Sequence, residues 1–321
     1  ATHTTPHQAR PILSTGRGAL TPPRVIFCVN PSATDQSFLL SLFAQTVAPT
    51  QPPPSAELGG TLKRIQDSET INIGYREQEP PMSFVDADKQ PVGYSIDLCN
   101  IIADEVKRAL KNPNITTKYV PVTAANRFSA IQDNSIDLLC GATTKTLSRS
   151  ELVDFTQLTF VTGASLLSLG SEKIGGIADL KGKKVAVTAD TTTIDALTEA
   201  IKEAGSDAEV VAVDDAASGL KAVIAGEVAA FSSDQVVLIG LIATHKGPEE
   251  LVIAQELFSF EPFALAMQRN DADFRLLADR VLSQLYRGGA ILKIYERWFG
   301  GFSDEIPGLL EAMYLLNANA E

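Results

Sequence analysis

The sequence predicts an α/β protein built from two successive units, each an open sheet flanked by helices. Three observations predict it. Apolar runs of strand type alternate with stretches whose apolar residues recur at helical spacing. The alternation runs from Gly59 and restarts near Leu180, and small polar loops follow the strands of both units. The 321 residues, 45% hydrophobic and 21% charged, are enough for two domains of ordinary globular composition.

In the first unit, residues 70–74 alternate as a strand. Ser95 is placed to cap a helix, with Asp97 in its first turn and an apolar stripe at Cys99, Ile102, Val106 and Leu110. Residues 118–122 form a second strand, 126–132 a short helix, and 136–140 a buried strand running into Gly141. The second unit opens with a strand at 185–188. Its following helix carries Ile194, Leu197 and Ile201 on one face and stops at Gly205. A strand at 209–213, a helix ended by Gly226 and a strand at 229–231 follow. Two helices, 274–285 and 291–299, close the chain.

The first 57 residues are rich in Thr, Pro, Ser and Ala and bury too little to offset their ordering entropy. An apolar run at 38–44, with Arg10, Arg17 and Arg24 upstream, reads either as a secretory signal core or as part of a plain arm. It is too short to span a bilayer, and no transmembrane segment is expected. The formal charge of −12 argues against nucleic acid. No Cys-x-x-Cys occurs, and His3, His7 and His245 lie outside metal spacing, so no metal site is expected. No phosphate loop or nucleophile elbow occurs, and no cofactor is expected.

Open α/β sheets bind ligands beyond the carboxyl ends of their strands. That rule selects the loops 141–145, 189–193 and 232–235. The two units are either independent domains or two lobes around a cleft.

An ordered set of motifs is more specific: Gly60-Thr61-Leu62, Tyr75-Arg76-Glu77, Gly93-Tyr94-Ser95-Ile96-Asp97, Asn126-Arg127, Gly141-Ala142-Thr143-Thr144, Ser148-Arg149-Ser150, Asp179-Leu180-Lys181-Gly182-Lys183 and Tyr295-Glu296-Arg297-Trp298-Phe299. Across residues 59–299 the chain resembles the solute-binding proteins of polar amino-acid ABC transporters, and most closely their glutamate/aspartate-binding branch. The resemblance implies a two-lobed type II periplasmic-binding-protein fold. Residues 1–57 would be the arm, 58–160 and 260–300 lobe 1, 161–259 lobe 2 with hinge crossings near 161–162 and 259–260, and 301–321 a tail. It implies a periplasmic monomer that hands an amino acid to a membrane permease.

The resemblance also implies site roles. Arg149 would clamp the ligand α-carboxylate through its planar fork, where otherwise it is a surface arginine. Thr144 would add a donor, and Gly141 and Ala142 backbone carbonyls for the ammonium. Thr191 and Thr192 open a helix whose N-terminus attracts the carboxylate. Asp190 is a ligand group or an N-cap. Asp234 would pair with the ammonium, or cap the next helix. Arg76 and Arg127 would hold a side-chain carboxylate, which makes the expected ligand acidic; Arg76 has the alternative of an exposed ion pair with Glu77 or Glu79. Two positions depart from that branch: Ala124 stands where it has serine and Ala216 where it has histidine. Both widen the pocket and remove donors. Cys99 and Cys140 are a disulfide or two small buried residues. The rival functions are a dehydratase-like enzyme on the same fold and a receptor sensor domain.

Overall fold

The computed structural model describes residues 58–302 and 305–320; the expected arm and its candidate export signal lie outside them. Helix α1 (Gly60–Ser68) leads into β1 (Thr70–Tyr75), where Ile71 and Ile73 are fully buried. Three short strands, β2 (Gln78–Glu79), β3 (Ser83–Val85) and β4 (Pro91–Val92), form a small antiparallel sheet before α2 (Tyr94–Ala109). Strand β5 (Thr116–Pro121), helix α3 (Arg127–Gln132), β6 (Leu138–Cys140) and the long β7 (Asp154–Thr162) complete this stretch.

The chain then passes to the second lobe through Gly163. Strand β8 (Ala164–Leu169) is followed by β9 (Lys184–Thr188), α4 (Thr192–Glu203), β10 (Glu209–Val213) and α5 (Ala216–Ile224). Next come β11 (Ala230–Asp234), α6 (Gln235–Thr244) and β12 (Leu251–Ile253). The chain returns through residues 254–260 to β13 (Glu261–Met267), α7 (Ala272–Arg287), α8 (Ala290–Phe299) and α9 (Gly308–Leu316).

The two five-stranded sheets have matching orders, β5-β1-β6-β13-β7 and β10-β9-β11-β8-β12. In each, three parallel strands are followed by an antiparallel neighbour. Central strands such as 185–187 are buried as continuous apolar runs, as sheets covered on both faces require. The two passages run side by side. Ala164 N–H donates to Ser259 Oγ (3.0 Å), and a Cβ on Gly163 would lie 2.5 Å from the Ser259 carbonyl oxygen. Only glycine fits there without moving backbone.

Three expectations need correction or completion. Ser95 does not cap α2: the helix starts at Tyr94, after Gly93 at φ 138°. Its first N–H groups go to the Pro81 and Met82 carbonyls, and Ser95 Oγ donates to the Gly141 carbonyl at 3.0 Å. Much of the 301–321 tail is helix α9, which buries Leu310, Met313 and Tyr314 against lobe 1. The Tyr314 and Tyr94 hydroxyls lie 2.8 Å apart, and Tyr94 also donates to the Thr159 carbonyl. Cys99 in α2 and Cys140 at the end of β6 form a disulfide, with Cα atoms 6.4 Å apart.

Candidate functional site

A cavity of about 490 Å³ of interatomic space, some of it open to solvent, lies between the lobes at the carboxyl ends of β1, β6, β9 and β11. Lobe 1 brings Arg76, Glu79, Arg127, Ala142, Thr144 and Arg149 to it; lobe 2 brings Thr188, Thr191, Thr192, Thr193, Ala216, Ser232, Ser233, Asp234 and Val237. Of the residues singled out from sequence, Gly141, Asp190 and Ala124 are not on the wall; Asp190 and Ala124 reach it only through carbonyls bonded to Arg127, and Gly141 lies just behind it. Its carbonyl accepts from Ser95, and its missing side chain gives room: a Cβ would sit 3.0 Å from Arg76 Cγ and 3.2 Å from Glu79 Oε2.

Arg76 leaves the end of β1 with its backbone clamped by Ser83, whose Oγ accepts from Arg76 N–H (2.9 Å) and donates to its carbonyl (3.0 Å). Its guanidinium pairs with Glu79 at 2.8 Å. Sequence reasoning allowed such a pair but placed it in solvent; the two side chains are only 7% and 12% exposed. The second Glu79 oxygen accepts from Ala142 N–H at 3.1 Å.

Arg127 is 3% exposed. It donates to two carbonyls, Ala124 at 2.8 Å within lobe 1 and Asp190 at 2.9 Å across the cleft. Its Nε is buried with no partner among the described residues, and no carboxylate there forms an ion pair with it. Burial, with Arg149 and Arg76 nearby, pushes its pKa down to about 9, so it stays charged at neutral pH. Burial also lowers the pKa of Arg149, against the pull of Glu261 and Asp234. The Phe128 ring lies 4.7 Å from the Arg127 guanidinium carbon and 5.4 Å from that of Arg149, holding both planes by cation–π contact.

Arg149 donates to the Thr144 carbonyl at 2.9 Å. The Thr144 hydroxyl is taken by Glu261 (2.5 Å), and Thr192 Oγ1 donates to the same Glu261 oxygen (2.9 Å) from the N-terminus of α4. Glu261 also accepts from Ser259 at 2.8 Å. A carboxylate of the chain therefore joins lobe 1, lobe 2 and the second passage. Thr191 is the N-cap residue of α4, and its hydroxyl goes to the Thr188 carbonyl (2.7 Å). Asp190, at φ 56°, contributes its carbonyl rather than its carboxylate.

Asp234 stands at the N-terminus of α6 without capping it by its side chain. Its Oδ1 is buried with no partner among the described residues. Burial raises its pKa well above the ordinary 3.8; Glu261 and Glu79 push the same way, and Arg149 opposes. A cationic group placed here would relieve that cost. Ala216 lines the wall, whereas Ala124 enters only through its carbonyl to Arg127.

Glu79 and Glu261 were not recognised from sequence as cleft groups. Glu261 had one signal: it follows the expected crossing at 259–260, and residues beside a crossing lie beside the cleft. Glu79 had none beyond its nearness to Arg76.

The family model of the bacterial extracellular solute-binding proteins, family 3, matches residues 71–301. The chain belongs to this family. Among its relatives, the L-glutamate/L-aspartate-binding protein of Pseudomonas aeruginosa is 32% identical over 244 residues, covering 76% of this chain and 81% of that protein. The glutamate/aspartate import solute-binding protein of Escherichia coli K12 is 31% identical over 75% of this chain and 80% of its own length. Among solved structures, an ancestral amino acid-binding protein, a precursor of cyclohexadienyl dehydratase, matches at a TM-score of 0.66 with 26% identity, covering 75% of this chain and all (100%) of that one. The cysteine-binding protein of Campylobacter jejuni shares the fold at a TM-score of 0.68 and 22% identity, covering 78% and 97% of the two chains. The two lobes and their cleft are the type II periplasmic-binding-protein architecture of family 3.

Proposed function

We propose that this family 3 protein is the extracytoplasmic, monomeric binding component of an ABC importer, and that it closes on a free acidic amino acid of the glutamate/aspartate kind. The observation that carries the reading is Arg127: a buried cation with an idle donor and no carboxylate partner among the described residues. Arg149, Thr144 and the α4 N-terminus at Thr192 hold the α-carboxylate. Asp234 holds the ammonium, and Arg127 with Arg76 faces the side-chain carboxylate. The names of the relatives support the same class. The import role named for the Escherichia coli relative is the support for a membrane permease as partner.

The test is titration calorimetry with glutamate, aspartate, glutamine and asparagine. Either acid is expected to bind tighter than its amide, because an amide leaves a desolvated guanidinium poorly matched. An amide that beats both acids removes the acidic reading and leaves amino-acid binding. A second reading, catalysis, rests on the raised pKa of Asp234, the property of a cleft acid. Ligand recovered chemically unchanged after long incubation, by mass spectrometry, rules it out.

A further inference from the structure

Glu79 is unexplained by an anion site. It places a carboxylate of the chain on two donors, Arg76 and Ala142 N–H, that an anionic ligand would otherwise use. Gly141 keeps space open for it. The cavity wall carries three arginines and two acids, Arg76, Arg127 and Arg149 against Glu79 and Asp234, and the buried Glu261 lies beside them on Thr144 and Thr192. A ligand main chain, zwitterionic between Arg149 and Asp234, brings no net charge to the other end of the cavity. The distal ligand group then meets one uncompensated cation, Arg127, and one neutralised pair whose carboxylate still accepts hydrogen bonds.

We propose that Glu79 is a specificity-determining residue, an internal counter-anion that narrows the preference for acids and admits ω-amide amino acids to the same cavity. A side-chain carboxylate gains from Arg127 but is repelled by Glu79. An amide gives its oxygen to Arg127 and its N–H to Glu79, so it satisfies both. The proposal rests on the amino-acid reading above.

The experiment is calorimetric titration of glutamate and glutamine into the wild type and Glu79→Gln, at one pH and salt. Glutamine is expected to bind the wild type within about a hundredfold of glutamate. Glu79→Gln is expected to widen the glutamate-to-glutamine ratio by about tenfold or more, because Arg76 loses its counter-charge in a cleft of low dielectric. A ratio that stays the same or narrows in the variant, with melting curves showing both proteins folded, overturns the proposal. Should Glu79→Gln misfold, Glu79→Ser gives the same readout. The direction of the wild-type ratio tests the acidic reading separately. Absence of binding by either amino acid overturns both.

Discussion

The two lobes share one winding and divide the chemistry unequally. Lobe 1 carries all three cleft arginines, the Phe128 ring beneath two of them and the only disulfide among the described residues. Lobe 2 presents hydroxyls, a helix N-terminus and one buried aspartate. A repeated fold thus says where a site lies, at the carboxyl ends of both sets of parallel strands, and says little about which half supplies charge. In this protein the half that supplies the arginines is also the covalently braced one, and the half that meets it supplies hydroxyls, a carbonyl and one acid.

The sharpest way to break that division is Arg149→Ala. It strips a forked partner from a buried anion and should weaken ligand binding by about 3–5 kcal/mol, with little recovery in Arg149→Lys. Normal calorimetric affinity in the alanine variant would remove lobe 1 as the charge-bearing side. Reducing the Cys99–Cys140 bridge, 41 residues apart, should lower the unfolding free energy by about 2–4 kcal/mol in urea titrations. An unchanged midpoint would mean that the brace does not distinguish the lobes.

The pH dependence sharpens the lobe 2 side. A raised pKa means that Asp234 in the empty cleft holds its proton to higher pH than a free carboxyl does. The empty fold gains that contribution at low pH and loses it as pH rises through the raised value. An ammonium ligand needs the anion, so binding releases a proton there and affinity climbs by up to about tenfold per pH unit. Affinity for acids falls again above about 9, where empty Arg127 loses its charge. Calorimetry in buffers of different ionisation enthalpy counts the protons; no release at any pH would clear Asp234 of this role. Thr192→Val removes the lobe 2 hydroxyl that donates to the Glu261 carboxylate and should cost about 1.5 kcal/mol of affinity, below Arg149→Ala. An equal loss would put the lobes on the same footing. The smallest effect is expected from restoring donors: Ala124→Ser with Ala216→His should shift preference toward glutamate by about fivefold in competition titrations.

The parts legible in the sequence were those with local causes. Residues 70–74 alternate as a strand, 209–213 form the expected short strand, and Gly205 with its positive φ ends α4 as its position suggests. The cleft loops followed from strand ends plus the direction rule. What escaped depended on where distant segments meet. Ser95 has the sequence of a cap, yet carbonyls from the Pro81–Met82 turn occupy that role and free its hydroxyl for Gly141. Glu79 looked like a surface partner because nothing local shows that the stretch around it lies under α5 and α6. Glu261 and Thr144 are 117 residues apart, and their contact exists only once β13 is laid beside the Thr144 loop.

Glu261 has one more consequence. Its carboxylate already ties Thr144 to Thr192 across the cleft, and Arg127 already reaches the Asp190 carbonyl. Contacts of this kind stabilise the shut arrangement whether or not cargo is inside, and so reduce the free energy that cargo must add. For a receptor that reports occupancy by its shape, such self-holding lowers contrast: empty molecules resemble full ones and queue at the same transporter. Weakening the tie, as in Glu261→Gln, exchanges some affinity for a cleaner signal.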